Sequence, residues 1–134
     1  MSQEQEILRA LAEKTIQQLE DMSRPIVRVC GPLTTGGLGY EANAERLTKA
    51  EEILENKGMS VFKFGETEAE IQGKGYSHAA IMEEFHRPIL ASGLIDDTYF
   101  LPDWSSSAGA TIERDLARKY DIGIKEFPEV WFAV

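Results

Sequence analysis

The chain has 134 residues, 43% of them hydrophobic and 28% charged, and its 23 acidic and 14 basic side chains leave a net charge of −9. This composition is that of one globular domain with a buried core, and it is too apolar for a disordered segment. The acidic balance opposes binding to a polyanionic duplex or an anionic membrane surface, and the lone Cys30 excludes both an intramolecular disulfide and a cysteine-rich metal set.

The opening residues, MSQEQEILRA, have neither the basic start nor the apolar run of a secretion signal. No apolar stretch approaches membrane-spanning length, so a soluble, cytoplasmic protein is expected. Residues 4 to 21 place Ile7, Leu8, Leu11, Ile16 and Leu19 on one half of a helix that Arg24-Pro25 closes off. IVRVC, residues 26 to 30, is a short β-branched strand leading into the glycine-rich GPLTTGG. A second helix, from about Glu41 to Lys57, turns Leu47, Ala50, Ile53 and Leu54 inward and stops at Gly58. MSVFKF (59 to 64) is the next strand, and GETEAEIQGKG is a polar loop. Ser77 can cap a third helix through the early 80s, which Pro88 should kink or end. DTYFLP (97 to 102) is a third strand, residues 108 to 120 a fourth helix, and IGIKEF (122 to 127) a last strand.

Strands alternating with helices at this spacing predict a parallel sheet covered on both faces. The expected fold is a small Rossmann-like or flavodoxin-like three-layer α/β domain with an extra N-terminal helix, and its ligands should collect at the carboxyl ends of the strands. That rule joins two loops. GPLTTGG offers Gly31, Gly36 and Gly37 for close backbone approach and the hydroxyls of Thr34 and Thr35, with Tyr40 at the start of the following helix. It matches neither the dinucleotide fingerprint nor the P-loop pattern, and a plain strand-to-helix turn remains open. LPDWSSSAG adds Trp104, a flat surface for a base or a packing residue, and three serines, Ser105 to Ser107, at a helix N-terminus.

The helix after those serines contains an anomaly. At about 100° per residue, Ile112, Leu116, Gly109, Tyr120, Ala117 and Ala110 share one arc, while Arg114, Asp115, Arg118 and Lys119 take the solvent side. Glu113 falls inside the apolar arc, beside Gly109, Ala110 and Ala117. A carboxylate there requires a paired cation, a set of hydrogen bonds, or a cleft to face. His78 and His86 lie eight apart in a helical segment without a third ligand, so neither a metal nor a cofactor is expected.

Three stretches carry a resemblance. VCGPLTTGG, the strand beginning at Asp96 and ending on Leu101, Pro102 and Trp104, and the pattern of Ser107, Gly109, Ala110 and Glu113 resemble the nucleoside 2-deoxyribosyltransferase superfamily, over residues 26 to 126. The nearest branches are the small deoxynucleoside 5'-monophosphate N-glycosidases and their bacterial and phage relatives. The resemblance implies that Glu113 is the nucleophile that attacks the anomeric carbon of a deoxyribose, with Asp96 as a second catalytic carboxylate. It implies a nucleoside or nucleotide held by Gly31, Thr34, Thr35, Gly36, Gly37, Tyr40, Trp104, Ser105, Ser107 and Gly109, and Ser107 stands where the family's serine contacts phosphate. It also implies a homodimer or larger homo-oligomer, to which the N-terminal helix offers an apolar face. The pattern departs from the family twice. The helical aspartate expected about eight residues ahead of Asp96 is Pro88, for which Glu84 is the nearest substitute, and the phosphate loop has Thr34 and Thr35 in place of an arginine. Three functions compete: an N-glycosidase or deoxyribosyltransferase, a non-catalytic nucleotide-binding module, and a flavodoxin-like cofactor binder.

Overall fold

IVRVC, a β-branched run with a single charge, becomes a central strand of the sheet. In the computed structural model, which describes residues 2–33, 38–63, 71 and 74–133, β1 (Ile26–Cys30) is buried at all five positions. It lies between β2 (Ser60–Val61) and β3 (Asp97–Phe100), and β4 (Gly123–Glu126) completes a four-stranded sheet of order β2-β1-β3-β4. Every pairing is parallel, with Cys30 opposite Phe100 and Phe100 opposite Glu126 at the carboxyl edge. Two-sided burial of β1 is what a parallel sheet with both faces covered demands. The domain is α/β and Rossmann-like, in three layers, as its alternating elements predict.

Among the described residues, four helices supply the outer layers. α1 (Gln3–Glu20) starts in a reciprocal cap, in which Ser2 Oγ accepts from the Gln5 N–H and the Gln5 side chain accepts from the Ser2 N–H. Its stripe of Leu8, Ala12, Thr15 and Leu19 is buried, whereas Ile7, expected inward, is 38% exposed. α2 (Tyr40–Asn56) begins after Gly39, whose φ of +102° suits glycine, and ends before Gly58, at φ +88°. α4 (Ala108–Lys119) is capped by Ser107 Oγ, which accepts from the Ala110 N–H at 3.1 Å.

α3 runs through Pro88 and does not end there. It is built of His78–Ala80, a π-helical stretch Ile81–His86, and Arg87–Ala91, with Ser77 capping its start. In an α-helix the proline ring would meet the carbonyl of residue 84 and remove one ladder bond. The wider turn just before it, in which the Arg87 N–H reaches back to Met82 O, accommodates the ring and lets the helix continue.

The pleat sorts β1 into two cores. Ile26 packs with Leu8, Leu19, Phe85, Ile89 and Ala117 under α1, α3 and α4. Val27 and Val29 pack with Ala50, Leu54, Tyr99, Leu101 and Phe127 under α2 and the C-terminal turn Glu129–Ala133. Arg28 and Cys30 therefore point into the first layer, among three helices. Ile71, within the stretch that the sequence presents as polar, is fully buried in that same core.

Candidate functional site

Where the strand order turns back at β1, the segments after β1 and β3 leave the sheet side by side. That switch point is where open parallel sheets hold ligands, and Glu113 is beside it. The buried stripe of α4 is Ala110, Glu113 and Ala117. Two alanines bring the helix backbone close to the sheet, so the glutamate between them reaches β1 directly. The buried face of α4 is rotated from the one the sequence predicts: Ile112 is 37% exposed, while Arg114, expected in solvent, is half-buried. Arg114 covers the rings of Trp104 (4.3 Å) and Phe100 (4.9 Å) and pairs with Glu126 at 2.6 Å.

Glu113 is 7% exposed and meets two β1 side chains with one oxygen. Arg28 Nε lies 3.0 Å from Oε2, and the Cys30 thiol donates to the same atom at 3.1 Å. Among the described residues no hydrogen bond reaches Oε1. Arg28, itself only 4% exposed, also lies over the Phe62 ring at 5.4 Å and places Nη2 3.2 Å from His86 Nδ1. A guanidinium only donates, so Nδ1 is the acceptor and the His86 proton belongs on Nε2. Burial, the Arg28 charge and then His78 push the His86 pKa well below its ordinary value. Burial first and the Glu113 carboxylate second push the Cys30 thiol well above its own, so it is a hydrogen-bond donor and not a thiolate.

Around this cluster the expected ligand residues are distributed unevenly. Gly109 is half-buried, with His78 Cε1, Ser107 Oγ and Met82 Sδ the atoms nearest to where its Cβ would stand. Gly31 packs so tightly on Leu101 that a Cβ there would come within 2.7 Å of its Cδ1. Ser107 is buried as the α4 cap, which occupies its hydroxyl with Ala110 N–H, and Ser105 is exposed. Tyr40 is 44% exposed at the head of α2. Trp104, half-buried edge-on to Phe100 at 5.8 Å, carries Arg114 over its ring and is a packing residue here. Thr34, Thr35, Gly36 and Gly37 lie outside the described residues. The ends of that segment are nonetheless fixed: buried Asn43 donates to Leu33 O at 3.2 Å and accepts from Leu38 N–H at 3.1 Å. On the other flank Arg46 of α2 pairs with Asp103, tying α2 to the segment after β3.

Asp96 is not part of this cluster. It precedes β3 at the amino edge of the sheet, where it accepts from Ile26 N–H at 2.7 Å and pairs with Arg24. The length of β1 separates it from Cys30 and Glu113. The Arg24 hydrogen bond holds its carboxyl below the usual range, and its role is to clamp the strand entrances. Glu84 is no substitute for the missing aspartate either: it faces α1, bonded to Arg9 at 2.5 Å and Gln5 at 3.4 Å. Arg28, His86 and Asn43 are the members that a reading of the sequence overlooks. The signal was available for Arg28, a lone charge in the middle of a strand with no polar face. Among the described residues, no three of His, Cys, Asp and Glu gather as a metal set, and no helix is long and apolar enough to cross a membrane.

A three-layer α/β domain with a buried carboxylate beside its switch point is thus defined. Residues 26–126, the span from the first residue of β1 to the last of β4, match the family described as Domain of unknown function (DUF4406), and the chain belongs to it. No curated protein and no solved structure matches the chain.

Proposed function

We propose that this protein cleaves or transfers the N-glycosidic bond of a deoxynucleoside or its 5'-monophosphate, with Glu113 as the nucleophile. The observation that carries the reading is the asymmetry of the carboxylate: Oε2 is held by Arg28 and Cys30, and Oε1 takes no hydrogen bond among the described residues. A glutamate that attacks a sugar carbon needs one oxygen fixed and the other available. Oε1 would form a bond to the anomeric carbon as the base leaves with the bonding electron pair. Water, or a second base, would then displace the carboxylate. The resemblance to nucleoside 2-deoxyribosyltransferases supports the same role for Glu113. A homodimer or larger assembly belongs to this proposal on the strength of that resemblance, since α1 spends its main apolar stripe within its own domain.

A second reading, a nucleotide-binding module without turnover, is favoured by the near-complete burial of Glu113 against Arg28 and by Pro88 at the place of the expected aspartate. One experiment decides between them. The protein is incubated with a panel of deoxynucleosides and their 5'-monophosphates, with and without a second base, and free or exchanged base is followed by chromatography. The catalytic reading expects release or exchange that falls by orders of magnitude in Glu113→Gln while binding persists. Binding without any product from wild type would favour the module, and equal turnover in Glu113→Gln would remove the nucleophile assignment.

A further inference from the structure

The buried groups that this chemistry leaves without a part are Arg28 and His86. A surface explanation does not serve for either. Arg28 rises from the middle of β1 into a core of Phe62, Phe85 and Ile26, and His86 is turned toward it from the π-helical stretch of α3. A buried guanidinium is not a device for stability: ion pairs of this kind are commonly matched or bettered by apolar side chains of the same volume. What the pair provides is geometry. Arg28 addresses one oxygen of Glu113, and His86 addresses the guanidinium from another helix, so the carboxylate is fixed from two elements at once.

We infer that Arg28, oriented by His86, is a positioning residue for the nucleophile: it fixes Glu113 through Oε2 and thereby selects Oε1 as the oxygen that reacts. This rests on the reading of Glu113 given above. The guanidinium also balances the carboxylate while substrate is bound, and it has less left to balance once Oε1 has become an ester oxygen, so its contribution is to alignment more than to charge. His86 must accept through Nδ1 for the arrangement to hold. Among the described residues, the charged and titratable groups that act on it include Arg28 of β1 and His78 of its own helix, with Glu113 of α4 one step further, beyond the guanidinium.

The test uses the intact protein and its best substrate from the panel. Arg28→Lys keeps a positive charge but cannot address both Glu113 and His86, and His86→Phe keeps the ring and removes the acceptor. Both are expected to lower kcat by about 10- to 100-fold with KM changed by less than about threefold, the pattern of an interaction that matters in the transition state. Added guanidinium ion should restore part of the rate to Arg28→Ala and none to Glu113→Gln. Nitrogen NMR of the wild type should show the His86 proton on Nε2, and the Nδ1 resonance should shift in Arg28→Lys. An active wild type, an inactive Glu113→Gln and an unchanged kcat in Arg28→Lys would overturn the positioning role and leave the nucleophile in place. A proton found on His86 Nδ1 would overturn it independently of activity, and a wild type that acts on no member of the panel would take both proposals down together. If Arg28→Lys does not fold, His86→Phe and the NMR measurement on wild type still decide.

Discussion

At the scale of single residues, the Arg28–Glu113 pair sets a cost that any mutational study of the site will meet. Removing one member takes a close opposite charge away from a buried one, so Glu113→Leu or Arg28→Met alone is expected to cost about 3–5 kcal/mol in denaturant unfolding. The double variant, apolar on both sides, should recover most of that loss and reach or exceed wild-type stability. Recovery of stability without recovery of base release would separate the two roles of the pair. His86 adds a pH dependence with a definite sign. Its folded pKa lies well below the ordinary 6.5. As pH falls below about 6.5 the unfolded chain therefore takes up a proton that the folded chain does not. The stability associated with neutral His86 is complete above that pH and declines on the acid side. Unfolding midpoints measured between pH 7.5 and 5 should fall, and the fall should be shallower in His86→Phe.

At the scale of elements, the segment after β1 is held by α2 through Asn43, which bonds the backbone on both sides of it. Asn43→Ala removes two hydrogen bonds, to the half-buried Leu33 carbonyl and from the Leu38 N–H, and at about 0.5–1.5 kcal/mol each should cost about 1–3 kcal/mol by chemical denaturation. If that segment binds substrate, KM should rise with little change in kcat. Gly31→Ala should also destabilise, by about 1–3 kcal/mol, because the added methyl runs into Leu101. Most elements were legible beforehand because each carries its own signal. β-branched runs mark the strands, Ser77 and Ser107 announce caps that the structure uses, and Gly58 closes α2. The misreadings have physical causes. A period of 3.6 cannot register a π-helical stretch, so Pro88 looked like a terminus and His86 like a bystander. Small residues mark close helix-to-sheet approach as well as an apolar surface, so the inward turn of Ala110 and Ala117 is legible in the sequence while the exposure of Ile112 and the half-burial of Arg114 are not. The resemblance names Asp96 without saying which end of the strand it occupies, and the structure places it at the amino edge, bonded to Ile26 N–H and Arg24.

At the scale of the molecule, the site combines groups from three segments far apart in the chain: Arg28 and Cys30 on β1, His86 on α3 and Glu113 on α4. None of them is adjacent in sequence to another segment's member, which is why the resemblance could point to Glu113 and could not supply its partners. The same layout bears on how the chain is made. Between Cys30 and its partner Phe100 lies more than half of the protein. At synthesis rates of about 5–20 residues per second, β1 waits roughly 4–14 s for β3. During that wait the edge of β1 that β3 will cover stays open, even once β2 has been made, as a template for pairing with other nascent chains, and a charge in the middle of the strand discourages such contacts. Arg28 is the only charge in the strand. A charge at this position is expected to act on the newborn chain as well, before α4 arrives with Glu113. The double apolar variant tests this, because its native state keeps its stability while its newborn chain loses the safeguard. Its yield of soluble protein on expression or refolding should drop as concentration rises, and the wild-type yield should hold.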